Sequence, residues 1–143
     1  MFTLSEKSKQ NRVGVDPRLV QISDRAIKAS PVDFGHGPDS GLRTTARQAE
    51  LFAAGVTKCD GVTKRSPHQD GKALDFTAYV GGKPIWEHKY YAVLMVSVLL
   101  AANELGHKIK VGITFKPEKL SDSVPYGWDC PHIELVDWGD RHD

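Results

Sequence analysis

The chain has 143 residues, 40% of them hydrophobic and 26% charged, which suits one soluble domain with a real core and leaves no room for a second. Nineteen basic against eighteen acidic side chains give a formal charge of +1, so there is no basic footprint for nucleic acid. Two cysteines, Cys59 and Cys130, are too few for a disulfide scaffold or a four-thiolate zinc site.

Residues 1–15 carry few apolar side chains and are expected to run over the surface, tacked down by Val13 and Val15. The start, Met1 to Arg12, lacks the apolar stretch of a secretory signal. Asp16-Pro17 reads as an N-cap followed by the first helical position, and Leu19, Ile22, Ala26 and Ala29 recur at helical spacing until Pro31. Val32-Asp33-Phe34 suits a short strand, and residues 35–41 form a glycine-rich turn. A second helix begins near Thr45, with Thr45 and Gln48 as a capping box, and stops at Gly55.

Residues 56–67 read as loop, Ala73 to Val80 as one strand, and Gly81-Gly82 as the turn after it. A third helix is expected from about Trp86 to Leu105. Its apolar residues surround most of the cylinder, which predicts a core helix covered by sheet and neighbours. The apolar run from Tyr90 to Ala102 is shorter than the roughly 20 residues that span a bilayer. Ile109 to Phe115 and Ile133 to Val136 are the remaining strand candidates. Helices and strands come in blocks, which suggests an α+β fold.

The chemistry lies in two stretches. Ser66-Pro67-His68-Gln69-Asp70-Gly71-Lys72-Ala73-Leu74-Asp75 places an imidazole on a loop and a carboxylate on the strand it enters, with Gly71 permitting the turn between them. A catalytic zinc takes three ligands from His, Asp or Glu and keeps a fourth position for water. A carboxylate between Leu74 and Phe76 needs a partner, and from spacing alone a metal and an arginine salt bridge serve equally well. The second stretch, Asp129-Cys130-Pro131-His132-Ile133-Glu134, offers another histidine at the start of a strand. Glu134 shares its face, either as a partner orienting a ligand or as a solvated strand residue. Cys59 and Cys130 with two histidines could compose a closed structural site, but no Cys-x-x-Cys hairpin supports it. His88, His107 and His142 suit surface or structural roles; His36 is harder to place, because its glycine-rich loop could lie beside a site, but a structural role is favoured for it too.

Ser66-x-His68-x-x-Gly71-x-Ala73-x-Asp75, followed 54 residues later by Asp129-x-x-His132, resembles the VanY-like (M15) zinc peptidases. Val15-Asp16-Pro17-x-Leu19, Asp33-Phe34, Gly41-Leu42-Arg43-Thr44, Gln48 and Ala54-Gly55 resemble the small phage endolysin branch, so the likeness runs from about residue 13 to 136.

The resemblance implies a single hedgehog-like, DD-peptidase-like α+β domain over residues 1–143, an antiparallel sheet packed against helices, with a short tail at 137–143. It implies one Zn2+ held by His68, Asp75 and His132, Asp129 as catalytic acid/base, and Arg43 pointing into the site. Arg43 stabilises an oxyanion or pairs with a substrate carboxylate. Ser66 either hydrogen-bonds substrate or caps its turn, and Gln48 either points toward the site or completes its capping box.

The expected function is a peptidoglycan endopeptidase that cuts the L-alanyl-D-glutamate bond of stem peptides. The expected molecule is a monomer without membrane insertion, made in the host cytoplasm and released to the wall through a holin pore. A D-Ala-D-Ala carboxypeptidase or dipeptidase on the same fold is the second reading. A zinc-stabilised binding module without turnover is the third, and a carboxylate at Asp129 argues against it.

Overall fold

A computed structural model describes residues 1–112 and 131–142. The helices are α1 (Glu6–Asn11), α2 (Pro17–Ala29), α3 (Thr45–Ala53), α4 (His88–Leu105) and α5 (Val136–His142). The strands are β1 (Asp33–Gly35), β2 (Ala73–Asp75), β3 (Thr77–Val80), β4 (Lys83–Ile85), β5 (Ile109–Val111) and β6 (His132–Leu135). They form two antiparallel three-stranded sheets, ordered β1-β3-β4 and β2-β6-β5. The α+β expectation holds.

Helix α2 starts as its residues dictate. The Asp16 carboxylate accepts from the Arg18 N–H at 2.9 Å, Pro17 occupies the first turn, and Leu19, Ile22 and Ala26 are buried. These side chains pack with Leu94, Met95 and Val98 of α4 and with Leu74, Phe76, Ile133 and Leu135 into one core.

The expectations for local structure need five corrections. Residues 1–15 are not merely surface chain: Ser5 caps α1, and Leu4 and Val15 enter the core, whereas Val13 is 73% exposed. The cap of α3 is Thr44, whose hydroxyl accepts from the Arg47 N–H, so Thr45 and Gln48 form no capping box. The strand expected over 73–80 divides at Phe76 into β2 and β3, which belong to different sheets. Phe76 turns its ring into the core against Phe34 and His36, so the chain can leave one sheet for the other. Helix α4 is not covered on all sides, because Val93, Val96, Leu99 and Leu100 are exposed among the described residues. The hairpin strand β4 and helix α5, neither anticipated, complete the described elements.

The segment that carries His68 is a 3-10 turn, Pro67–Asp70, closed by Gly71 in the left-handed region at φ 68°. Gly71 lies so close to the chain before α2 that an added Cβ would sit 2.6 Å from the Gly14 carbonyl oxygen. The Asp16 N–H donates to the Gly71 carbonyl at 2.8 Å, and Lys72 Nζ reaches the Asp16 carboxylate at 2.6 Å. The start of α2 therefore anchors the loop that presents the histidine.

Candidate metal centre

Strand β2 pairs with β6 so that Asp75 stands opposite His132. The Phe76 N–H donates to the Pro131 carbonyl and the Leu135 N–H to the Lys72 carbonyl. The intervening Asp75–His132 pair is therefore of the non-hydrogen-bonded kind, in which side chains lie closest. Leu74 and Phe76 point the other way and are buried in the core. Alternation thus places an ionisable group on one face and anchors the strand by the other.

The donor atoms of His68, Asp75 and His132 lie within 4.8 Å of one another. Asp75 Oδ1 is 3.3 Å from His68 Nε2 and 3.0 Å from His132 Nδ1. Tetrahedral ligands about 2.0–2.1 Å from a zinc ion are roughly 3.4 Å apart, so this spacing fits one such ion. The imidazoles are nearly buried, at 3% and 5% exposure, and their rings meet edge to face at 5.2 Å.

The far sides of the ligands are already engaged. His68 Nδ1 lies 2.9 Å from the Gly41 carbonyl, an acceptor only, so this nitrogen carries a proton and Nε2 is the nitrogen that could ligate a metal. His132 Nε2 lies 2.9 Å from Glu134 Oε1, which leaves Nδ1 facing Asp75. Glu134 thus fixes the orientation of the His132 ring, as a partner behind a metal ligand would. Burial by itself would raise the Asp75 carboxyl pKa, but the imidazoles of His68 and His132 outweigh it and hold the group far below the ordinary carboxylate range.

Arg43 reaches the same carboxylate from the other side. Its Nη2 is 3.4 Å from Asp75 Oδ2, its Nε donates to the Asp39 carbonyl at 2.7 Å, and its Nη1 donates to Gln48 Oε1 at 3.2 Å. Of the two partners that its spacing allowed, the arginine is therefore present at one oxygen, while the other oxygen faces the two histidines with which it could share a metal. Gln48 is fully buried and donates to the Cys59 carbonyl at 2.9 Å, so it fixes the guanidinium from behind. Ser66 accepts from the His68 N–H at 3.2 Å, and Gln69 completes that capping box. Asp129 and Cys130 lie outside the described residues. Cys59 is half-buried, and burial pushes its thiol pKa up.

Two contributors escaped sequence reasoning. Asp39 takes a left-handed backbone conformation at φ 65°, which turns its carbonyl to Arg43 while its carboxylate receives Arg47 at 3.0 and 2.9 Å. The Asp inside a Gly-Pro-Asp-Ser-Gly run hinted at such a turn, but nothing in the run named Arg43 as its target. His36 is the other. It is buried and hydrogen-bonded to the Asp75 carbonyl.

The family of phage L-alanyl-D-glutamate peptidases matches residues 1–136. The chain belongs to that family. Among relatives, the L-alanyl-D-glutamate peptidase of Escherichia phage T5 is 32% identical over 139 residues, spanning 94% of this chain and 98% of the relative. The crystal structure of the Serratia marcescens L-Ala D-Glu endopeptidase ChiX superposes with a TM-score of 0.77 at 34% identity, covering 99% of this chain and 95% of that one. A vancomycin-resistance D,D-pentapeptidase, VanY, solved with Zn(II), shares the fold at a TM-score of 0.51 and 21% identity, over 85% of this chain and 72% of its own. This phage-type peptidase thus has the expected VanY-like architecture, and His68, Asp75 and His132 form a cluster able to hold one metal ion.

Proposed function

We propose that this peptidase hydrolyses the L-alanyl-D-glutamate bond of peptidoglycan stem peptides, using one zinc ion held by His68 Nε2, Asp75 Oδ1 and His132 Nδ1. The observation that carries the reading is the convergence of these three donors while Gly41, Glu134 and Arg43 occupy their other polar atoms. Zinc in such a site supplies a Lewis acid and a water whose pKa falls to about 7.

Asp129 takes the general-base and then general-acid role, moving a proton from the attacking water to the leaving amine. The support for this is its place three residues before His132 and the resemblance of Asp129-x-x-His132 to the motif of the VanY-like zinc peptidases. Arg43 aims its fork of donors at a substrate carboxylate or at the oxyanion. In this reading Gln48 holds Arg43, and Ser66 holds the turn of His68, with any substrate contact secondary to those bonds. The enzyme acts as a monomeric endolysin that reaches the wall through a holin pore. Among the described residues no helix is long and apolar enough to cross a membrane.

Digestion of purified sacculi followed by identification of the new amino termini tests the bond. Newly exposed D-glutamate amines are expected. Release of free D-alanine alone would instead establish the D-Ala-D-Ala carboxypeptidase reading.

A further inference from the structure

Strand β2 is the outer strand of its sheet among the described residues. Because Asp75 and His132 are a non-hydrogen-bonded pair, the Asp75 N–H and C=O both point away from β6. Two groups from one loop meet them where another strand would. The Ser40 carbonyl accepts from the Asp75 N–H at 2.9 Å, and His36 Nδ1 lies 2.7 Å from the Asp75 carbonyl oxygen.

The carbonyl can only accept, so His36 carries its proton on Nδ1. Its Nε2 then accepts from the Ser23 hydroxyl, 2.7 Å away on α2. The ring is 3% exposed and lies edge to face against Phe76 at 4.8 Å and Phe34 at 5.9 Å. The His36 backbone N–H donates to Ser8 Oγ on α1 at 3.0 Å.

We propose that His36 is a positioning residue of the metal centre: through the chain Ser23 Oγ–H to Nε2 and Nδ1–H to the Asp75 carbonyl, it ties the ligand-bearing end of β2 to helix α2. The proposal rests on the assignment of Asp75 as a metal ligand. On the outer side of β2 only the Ser40 carbonyl and the His36 ring hold Asp75, and without His36 the Asp75 carbonyl loses its tie, so the strand end can shift relative to His68 and His132. A preorganised ligand set loses affinity when a supporting bond is removed, even where no ligand is changed.

The test is zinc affinity of the metal-depleted protein, measured by chelator competition and normalised to the folded fraction from circular dichroism. His36→Leu removes both hydrogen bonds and keeps an apolar body. It is expected to weaken zinc binding by about tenfold, the low end of what supporting partners contribute. It should also change the visible spectrum of the Co2+-substituted protein. His36→Asn keeps an N–H donor near the Nδ1 position and is expected to recover most of the affinity. A His36→Leu protein that binds zinc as tightly as the parent, with an unchanged Co2+ spectrum, would overturn the proposal.

Should His36→Leu fail to fold, Ser23→Ala decides, because it frees Nε2 and loosens the ring. A severalfold loss of affinity supports the chain of bonds, and none overturns it. Asp75→Ala is measured in parallel. If it keeps zinc, the ligand assignment has failed and the His36 role falls with it; if it loses zinc while His36→Leu binds normally, only the His36 role is lost.

Discussion

Asp75 and His132 face each other across two antiparallel strands, with Oδ1 and Nδ1 3.0 Å apart, although 57 positions separate them in the chain. The ladder therefore builds most of the metal centre, and the capped turn at Ser66 supplies the rest. Removing either imidazole takes away a third of the donor set. His68→Ala and His132→Ala are each expected to lose zinc, with metal analysis after dialysis as the check. Full occupancy in either variant would refute the ligand set.

Glu134 receives His132 Nε2 and so fixes which nitrogen turns inward. Glu134→Ala should weaken zinc binding by roughly 10–100-fold. Glu134→Gln keeps an oxygen acceptor at the same reach and should lose less. Equal losses in the two variants would show that charge, not orientation, is what Glu134 provides.

In the proposed mechanism Asp129 transfers the proton and does not hold the metal. Asp129→Ala is expected to keep zinc and fold while hydrolysis of sacculi disappears. Cleavage at the parent rate would sink the mechanism.

Arg43 uses three directions of its guanidinium at once, toward Asp39, Gln48 and Asp75. A lysine has no planar fork and cannot reproduce them. Arg43→Lys should lower kcat/KM by about 100-fold in the zinc-saturated protein, comparable to losing one donor to a developing oxyanion. Separate kcat and KM values tell whether the loss lies in turnover or in substrate binding.

Asp16 joins the start of α2 to the loop of the metal centre. Hydrogen bonding to Arg18, then to Lys72, outweighs burial and holds its carboxyl well below the usual range. A carboxylate with a depressed native pKa contributes stability that is fully present above the unfolded value of about 3.9 and is lost as pH falls through the native pKa. Unfolding midpoints should therefore drop as pH falls below about 4. Asp16→Asn keeps a capping oxygen but not the charge. It should cost about 2 kcal/mol at neutral pH and flatten this part of the acid dependence, as followed by urea denaturation.

Much of the fold was legible because its signals are local. Asp16-Pro17 capped α2 as read, Gly55 took the positive φ expected at a helix end, and Gly81-Gly82 turned one strand into the next. Local signals misled where burial was decided at a distance. An unbroken apolar alternation over 73–80 cannot say that Phe76 will enter the core and send the two halves to different sheets. The apolar girth of α4 cannot say that Val93, Val96 and Leu100 stay outside.

The sequence by itself determined the kind of chemistry, because side-chain type sets what an atom can donate or ligate. Two imidazoles and a carboxylate in the family's pattern already implied a metal-dependent hydrolase. Only the tertiary structure decided which nitrogen of each histidine faces inward, that Arg43 shares Asp75 with them, and that His36 supports that strand from behind. Those choices depend on hydrogen-bond partners such as Gly41 for His68 and Ser23 for His36. Which partners meet is settled by packing of separate elements, and no spacing along the chain encodes it.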